Sequence, residues 1–253
     1  MIKASVYVIC QDEEKHIERM LKSVADFDEI IVVDSGSKDK TLEIAAKFTD
    51  KIYHHDWQGE GLQKNYAFSL CKNEWVLNLD ADEEITAELK TEIENFMKQS
   101  EYDGLDIKFH EYSLGRICSP FVRKNTHIRF FKKSCGEYRN LGVHAQISIN
   151  GKVTKSKHSI HHFSDKFIHE LVVKNNNYSS LRAQRDFEKG KKPNFLKLIF
   201  IFSLIFFKSY ILRRSFFDGK KGFITSMINA FYAFLKEAKL YEISYLKKKN
   251  EKK

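Results

Sequence analysis

The stretch IIVVDSGSKDKT, residues Ile30–Thr41, joins a short apolar strand pattern to a terminal carboxylate and a polar loop that leads into a helical pattern. Ala4–Cys10 upstream and Trp75–Leu79 downstream are further apolar runs of strand length. A helical spacing of apolar residues follows each run, so strands and helices alternate through the first hundred residues. This alternation predicts βαβ units and a mainly parallel sheet covered on both faces.

The pattern changes beyond residue 103. Gly104–Phe109, His127–Phe131 and Val143–Ile149 are predicted strands separated by irregular basic segments. From Lys166 onward the spacing predicts helices, with a break at Pro193. We therefore expect an α/β domain followed by a helical region.

Composition excludes several classes of protein. The chain has 253 residues, of which 42% are hydrophobic, and only two prolines, so it is neither disordered nor collagenous. Four cysteines without a CxxC pair, and a start without a basic-then-apolar leader, lead us to expect a reducing cytoplasm. The net charge of +9 divides into −9 for residues 1–100 and +18 for residues 101–253. The basic part would suit nucleic acid, an anionic membrane or a phosphorylated substrate.

The most apolar segment is LIFIFSLIFF, residues Leu198–Phe207. Ten helical residues span ~15 Å, about half of the hydrocarbon thickness, so the segment is predicted not to cross a membrane. An interfacial helix is favoured over a buried core helix, because basic residues flank the segment. These residues are Lys189, Lys191, Lys192, Lys197, Lys208, Arg213, Arg214, Lys220 and Lys221.

Acidic residues follow three of the predicted strands. They are Asp12, Glu13 and Glu14 after the first, Asp34 at the end of the second, and Asp80, Asp82 and Glu83 after Trp75–Leu79. Ligands of open α/β sheets bind beyond the carboxyl ends of the strands, and clustered carboxylates repel each other unless a cation compensates them. Oxygen ligands of this kind predict a site for Mn²⁺ or Mg²⁺ with a bound diphosphate.

Several segments resemble one enzyme family. VDSGSKDKT (Val33–Thr41) and LDADEE (Leu79–Glu84) resemble the two signature segments of family 2 glycosyltransferases with the GT-A fold, and QDEEKHI (Gln11–Ile17) resembles the opening segment. WQGEGLQKNYA (Trp57–Ala67) resembles the lipopolysaccharide-core β-glucosyltransferase branch. The segments LGVHAQI, HHFSD and FFDGKKG are more loosely similar to that branch, so the resemblance covers essentially the whole chain.

The resemblance implies roles for the strand-end residues that hold the donor. Asp34 would contact the uracil or ribose of a UDP-sugar, and Glu13 would hold the first nucleotide loop. Asp80 would contact the ribose or the sugar.

The resemblance also implies a metal site beside the diphosphate. Asp82 would bind the Mn²⁺ or Mg²⁺, while Lys64, beside Gln63, would face the diphosphate or donor sugar. Some enzymes of this fold take a further metal ligand from a histidine near the end of the catalytic domain, and His161 and His162 occupy such a place, with His162 as the expected ligand. The cation and Lys64 would neutralise the charge that develops on the leaving group.

Two positions depart from the family pattern. Asp12 stands where the family usually has asparagine, and both residue types accept hydrogen bonds from nearby backbone N–H groups. Members of this branch usually read VHE where this chain has Val143-His144-Ala145. That glutamate is a candidate for the base that deprotonates the acceptor, and alanine cannot take this role. His144, Glu137 and Asp106 are alternatives, and His144 is the expected base.

The resemblance thus implies a metal-dependent inverting transferase that moves a hexose, with glucose favoured, from a UDP-sugar to a lipopolysaccharide or lipooligosaccharide core. The catalytic domain would span residues 1–165, with a donor half at 1–103 and an acceptor half at 104–165. Residues 166–253 would form a helical basic region on an anionic membrane surface. We expect a cytoplasmic enzyme, peripheral on the inner face of the inner membrane, with no nucleic-acid partner.

Two other functions stay open. Asp80 and Asp82 resemble the aspartate pair of haloacid-dehalogenase-type phosphatases, although Glu83 and Glu84 follow where those enzymes usually have threonine or valine. A nucleic-acid-binding protein would use the basic half, in which aromatic residues are interleaved with basic ones. That function would leave the strand-end carboxylates unexplained.

Overall fold

The computed structural model describes residues 1–98, 101–113, 115–139, 146–164 and 168–250. Within it the chain forms two compact units. One consists of Met1–Glu111 with Lys124–Ser164, and the other consists of Tyr112–Arg123 with Asp165–Lys253. Residues 112–123, which the sequence placed in the acceptor half, belong to the helical unit.

The strands are β1 (Ile2–Cys10), β2 (Phe27–Asp34), β3 (Ile52–His54), β4 (Trp75–Asp80), β5 (Glu83–Ile85), β6 (Gly104–Ser113), β7 (Arg116–Ile117), β8 (Thr126–Lys132), β9 (Gly136–Arg139), β10 (Gln146–Ile149) and β11 (Val153–Ser164). The helices are α1 (Ile17–Ser23), α2 (Thr41–Ala45), α3 (Glu60–Leu70), α4 (Ala87–Lys98), α5 (Ile168–Glu188), α6 (Phe195–Phe207) and α7 (Gly219–Asn250).

The main sheet has the strand order β3-β2-β1-β4-β8-β6-β11-β5. Strands β1 to β4 are parallel, and their carboxyl ends coincide because Ile9 pairs with both Val33 and Asp80. Strand β8 runs antiparallel to β4 and to β6, so its first residues lie at the same edge. The predicted α/β fold with a parallel central sheet and C-terminal helices is confirmed.

Both faces of the parallel strands are covered, which explains their continuous apolar runs. Val8 and Leu79 belong to the larger core cluster, whereas Tyr7 and Val76 belong to the cluster on the other side. The hydroxyl of Tyr7 lies 2.6 Å from that of Tyr138, which ties the antiparallel β9–β10 hairpin to the central strand. The predicted strand Val143–Ile149 is present from residue 146, and residues 143–145 lie outside the described part of the chain.

The helical unit corrects one expectation about the apolar segment. Helix α6 begins after Pro193, as predicted, and continues into a π-helical turn at Lys208–Leu212. Phe195–Leu212 therefore forms 18 helical residues rather than ten, with a mean hydropathy of 2.0 and only 6% of the segment buried. Among the described residues this is one helix long and apolar enough, about 27 Å, to cross a membrane, so the length argument against crossing was wrong. It is also not a buried core helix.

The segment FFDGKKG packs against residues 112–123 within the same unit. A Cβ atom on Gly222 would lie 1.7 Å from the carbonyl oxygen of Ser215, so only glycine fits there. Asp218 accepts a hydrogen bond from the N–H of Ser119 at 2.8 Å. Lys221, expected among the lipid-facing cations, is buried and donates to the carbonyl of Arg116 at 2.8 Å. It therefore supports the fold of the unit instead of facing lipid.

Candidate functional site

Asp34 ends β2 and organises the loop that follows it. Its side chain is buried, and Oδ2 accepts hydrogen bonds from the N–H groups of Gly36 at 2.8 Å and Ser37 at 3.0 Å. The Ser37 hydroxyl donates to Oδ1. Gly36 has φ of 96°, a conformation that favours glycine. In the structure Asp34 thus shapes the loop at the carboxyl edge of the parallel strands.

The loop after β1 is joined to this loop through Asp12 and Glu13. Asp12 has φ of 55°, which aspartate and asparagine tolerate better than most residues, and its Oδ1 accepts from the N–H of Lys38 at 2.7 Å. The N–H of Glu13 donates to Oγ1 of Thr41 at 2.7 Å. Aspartate therefore satisfies the backbone here as asparagine would.

Gln63 on α3 ties three elements together. Its Nε2 donates to Oγ of Ser35 and to the carbonyl of His55, both at 2.7 Å, and its Oε1 lies 2.7 Å from Nδ1 of the same histidine. The side chain is fully buried. Each polar atom of the amide has a protein partner, so in the structure Gln63 positions α3 against the ends of β2 and β3.

Lys64, next to it, forms the centre of a buried ion cluster. Its Nζ lies 2.8 Å from Oδ1 of Asp80 and 3.0 Å from Oε1 of Glu60. Nη2 of Arg129 lies 2.7 Å from the other oxygen of Asp80. Asp80 is therefore held between two cations at the end of β4.

Arg129 on β8 is a site residue that sequence reasoning missed. Its Nη1 donates to Oδ1 of Asn78 at 2.6 Å, and its Nη2 donates to Oε1 of Glu83 at 2.5 Å, in addition to Asp80. The residue is 8% exposed. Arg129 lies in an apolar strand with no recognisable motif around it. The only signal in the sequence was therefore a charged residue within a pattern typical of a buried strand.

The ion cluster shifts the pKa values of Asp80 and Glu83 in opposite directions. Burial raises the pKa of Asp80, but Arg129 and Lys64 outweigh burial and hold that pKa well below its usual range. Burial raises the pKa of Glu83 to about 8, against the opposing effect of Arg129. The negative charge of the cluster at neutral pH therefore rests mainly on Asp80.

Asp82 and His162 meet where β5 pairs with β11, in a register that sets His162 opposite Glu83. Nε2 of His162 lies 3.2 Å from Oδ2 of Asp82. Two ligands bound at right angles, each about 2.1 Å from one cation, are about 3.0 Å apart. The spacing of the pair would therefore fit two neighbouring positions of an octahedral metal site.

Glu111 completes this arrangement and was not found from the sequence. Its Oε2 lies 2.7 Å from Nδ1 of His162, on the side of the ring away from Asp82. Metal-binding histidines usually donate their second ring N–H to such a carboxylate. Burial lowers the pKa of His162, but its hydrogen bonds to Asp82 and Glu111 raise it to about 10. Without a cation, the charged ring therefore bridges two carboxylates.

The described residues contain no group of three or more His, Cys, Asp and Glu side chains arranged as a metal cage. Asp82 and His162 are the two side chains whose spacing would suit a cation. Mg²⁺ commonly takes one or two carboxylates and completes its coordination with substrate phosphates and water. The donor set fits a cation that binds together with a diphosphate.

A cavity of about 660 Å³ adjoins the ion cluster. Its lining residues are Glu60, Lys64, Asn78, Asp80, Asp106, Thr126, His127, Ile128, Arg129, Tyr138, Ile147 and Val153. Of the three alternatives for the base, Asp106 is in this lining. Glu137 lies in β9 opposite Ser148, and His144 lies outside the described residues.

Comparisons with known proteins show which family the chain resembles. The family model described as "Glycosyl transferase family 2" matches residues 5–150. The chain is 32% identical over 252 residues to the lipopolysaccharide core biosynthesis glycosyltransferase LpsC of Rhizobium meliloti, covering 96% of this chain and 93% of that protein. It is 36% identical over 259 residues to an uncharacterized glycosyltransferase of Rickettsia bellii, covering 96% of this chain and 87% of that protein.

A solved structure has the same fold. The crystal structure of S. aureus TarS 1-349 in complex with UDP superposes with a TM-score of 0.51 at 18% identity, covering 97% of this chain and 92% of that chain. The family match spans more than half of the sequence, and the predicted resemblance is confirmed. The chain therefore belongs to glycosyl transferase family 2 and is a glycosyltransferase.

Proposed function

We propose that the chain is a metal-dependent inverting enzyme that transfers a hexose, with glucose favoured, from a UDP-sugar to a lipopolysaccharide or lipooligosaccharide core. The observation that carries the donor half is the 3.2 Å spacing of Asp82 and His162, which suits two ligands of one Mn²⁺ or Mg²⁺. The acceptor class is supported by the likeness to LpsC, whose name assigns it to core biosynthesis.

The roles of the residues follow from their contacts. A cation held by Asp82 and His162 would supply charge neutralisation at the diphosphate. Lys64 lies in the cavity wall with its ammonium group already desolvated, so it adds a positive charge where the leaving group becomes more negative. Asp80 and Glu60 hold that ammonium group in place, and Arg129 in turn holds Asp80.

The two alternative functions lose support. A phosphatase of the haloacid-dehalogenase type would need Asp80 as a nucleophile, but both of its oxygens are engaged by Lys64 and Arg129. A nucleic-acid-binding protein would not need the metal-ligand pair. Membership of the family assigns glycosyl transfer to the chain.

Titration of a panel of UDP-sugars with and without Mn²⁺, by calorimetry, tests the donor assignment. We expect one sugar nucleotide to bind in a metal-dependent manner and to be transferred to lipooligosaccharide inner core. Binding that does not depend on the metal, or transfer from a sugar nucleotide other than a UDP-sugar, would contradict the proposal.

Glu111→Gln is expected to weaken Mn²⁺ binding by about 10- to 100-fold, because the ring of His162 loses the carboxylate that orients it. Mn²⁺ affinity can be measured by electron paramagnetic resonance in the presence of UDP, independently of turnover. Glu84→Gln serves as the control, since it removes a carboxylate from the same β5 strand. Equal Mn²⁺ affinities in the two variants would contradict a role for Glu111 at the metal.

We also propose that the helical unit holds the enzyme on the inner face of the inner membrane as a peripheral protein. The support is the exposed apolar surface of α6, where Phe195, Leu196, Phe200 and Leu204 are each more than half exposed. Such a surface, with lysine and arginine residues close by in the sequence, suits the headgroup layer of an anionic membrane.

Sedimentation with vesicles tests this location. We expect binding to vesicles that contain anionic phosphatidylglycerol to exceed binding to neutral phosphatidylcholine vesicles and to fall at high salt. Leu204→Asp should reduce binding at both salt concentrations, whereas Leu42→Asp, an equal change on α2, should not. Binding indifferent to lipid charge and salt, reversed only by detergent, would indicate that Phe195–Leu212 crosses the bilayer.

A further inference from the structure

The cavity beside the ion cluster has three acidic residues in its lining, Glu60, Asp80 and Asp106. Lys64 is paired with the first two, and Arg129 is also paired with Asp80. Among the described residues, Asp106 forms no ion pair, and its Oδ2 accepts a hydrogen bond from Oγ1 of Thr126 at 2.8 Å.

The strand order separates Asp106 from the loops that follow β1 and β2. Asp34 ends β2 and Asp80 ends β4, whereas Asp106 lies on β6, separated from β4 by β8. Asp106 pairs with Ile128, which also lines the cavity. With the diphosphate at Lys64 and Asp80, as proposed, Asp106 lines the same cavity two strands further along the sheet, and a base must come within hydrogen-bond reach of the incoming hydroxyl.

His127 also lies in the lining, and its charge balance is less favourable for accepting a proton. Burial lowers the pKa of His127, Arg129 and Lys64 lower it further, and Asp106 and Asp80 oppose them without reversing the direction. Protonation of the imidazole would add a third positive charge beside Arg129 and Lys64, whereas a carboxylate that accepts a proton becomes neutral. The carboxylate is therefore the better acceptor for a proton released into the cavity.

We infer that Asp106 is the catalytic base of this chain, which deprotonates the attacking hydroxyl of the acceptor. The inference rests on the proposed transfer from a sugar nucleotide. The carboxylate of Asp106 takes the hydroxyl proton, and an oxygen lone pair forms the new bond to the anomeric carbon. The bond from that carbon to the diphosphate oxygen breaks, and its electron pair leaves with the nucleoside diphosphate.

The test compares Asp106→Asn with wild type in two separate measurements. Transfer is followed with the sugar nucleotide that the wild type binds and with detergent-solubilised lipooligosaccharide inner core, and donor affinity is measured by calorimetry. We expect kcat to fall by about 10²- to 10⁴-fold while the donor Kd stays within about twofold. Formate should restore part of the activity of Asp106→Ala.

Asp26→Asn, a change to a surface aspartate on the same unit, is the control for general effects of the substitution. Full activity of Asp106→Asn, together with its loss in His127→Ala or His144→Ala, would overturn the assignment. A parallel loss of donor binding in Asp106→Asn would also overturn it, since the role would then be structural. If the wild type transfers no sugar from any sugar nucleotide, the proposed function is wrong, and the assignment of the base is wrong with it.

Discussion

Asp82→Asn should abolish the metal-dependent binding of the sugar nucleotide and reduce turnover with it. The amide keeps the size of the side chain but provides one neutral oxygen where the carboxylate provided a charged one. The loss of Mn²⁺ affinity should exceed the roughly 10- to 100-fold that removal of an outer-shell partner costs. Calorimetry with Mn²⁺ and the UDP-sugar measures this directly, beside the Glu84→Gln control.

The same variant separates a role at the metal from a role in folding. Asp82 lies on the turn between β4 and β5, and its carbonyl accepts from the N–H of Phe163 at 2.8 Å, a contact that the substitution keeps. The urea midpoint of Asp82→Asn should therefore stay close to that of the wild type. Unchanged Mn²⁺ affinity in this variant would remove Asp82 from the metal site.

Arg129→Met is expected to cause the largest loss of stability. The substitution keeps much of the apolar length of the side chain but leaves the buried Glu83 without its cation and Asp80 with Lys64 alone. Breaking a buried pair by removing one partner costs about 3–5 kcal/mol, a large part of the roughly 5–15 kcal/mol of a typical domain. Urea unfolding should show this loss, whereas Lys47→Met at an exposed site should show almost none.

A second substitution makes the cause of that loss testable. Arg129→Met combined with Glu83→Gln removes one of the two carboxyl groups that lost their partner, so it should recover part of the unfolding free energy. Strictly additive effects of the two changes would mean that the residues do not interact. A stable Arg129→Met protein would show that the ion cluster does not hold β4, β5 and β8 together.

The parallel half of the sheet could be predicted because its signal is local. Strands β1, β2 and β4 are apolar runs closed by polar loops, and their parallel pairing places Asp34 and Asp80 at one edge. The resemblance also pointed to Asp82 and His162, and the structure brings these two side chains within 3.2 Å of each other. Glu111 and Arg129 were not predicted, because each acts through a strand pairing far apart in sequence.

The apolar helix shows a different kind of failure. The sequence predicted an apolar segment of ten residues because Lys197 and Lys208 were taken as its ends. A helix, however, continues through a charged residue when its backbone hydrogen bonds continue. Lys197 pairs with Glu237 at 2.8 Å, so its charge is compensated by α7 of the same unit. The local sequence pattern does not predict such a partner, because Glu237 is distant in sequence from Lys197.

The strand order also bears on how chains of this kind diverge. Strands β1 to β4 come from one contiguous stretch, whereas β8, β6 and β11 all come from beyond residue 103. If the donor binds to residues 1–103 and the acceptor to residues 104–165, as the resemblance implies, a lineage could exchange the later stretch of its gene, and with it the acceptor, while inheriting the earlier stretch intact. Arg129 limits that freedom, because it lies on the exchanged stretch yet bonds Asn78 and Asp80 on the inherited one. Any successful exchange must bring an equivalent cation with it.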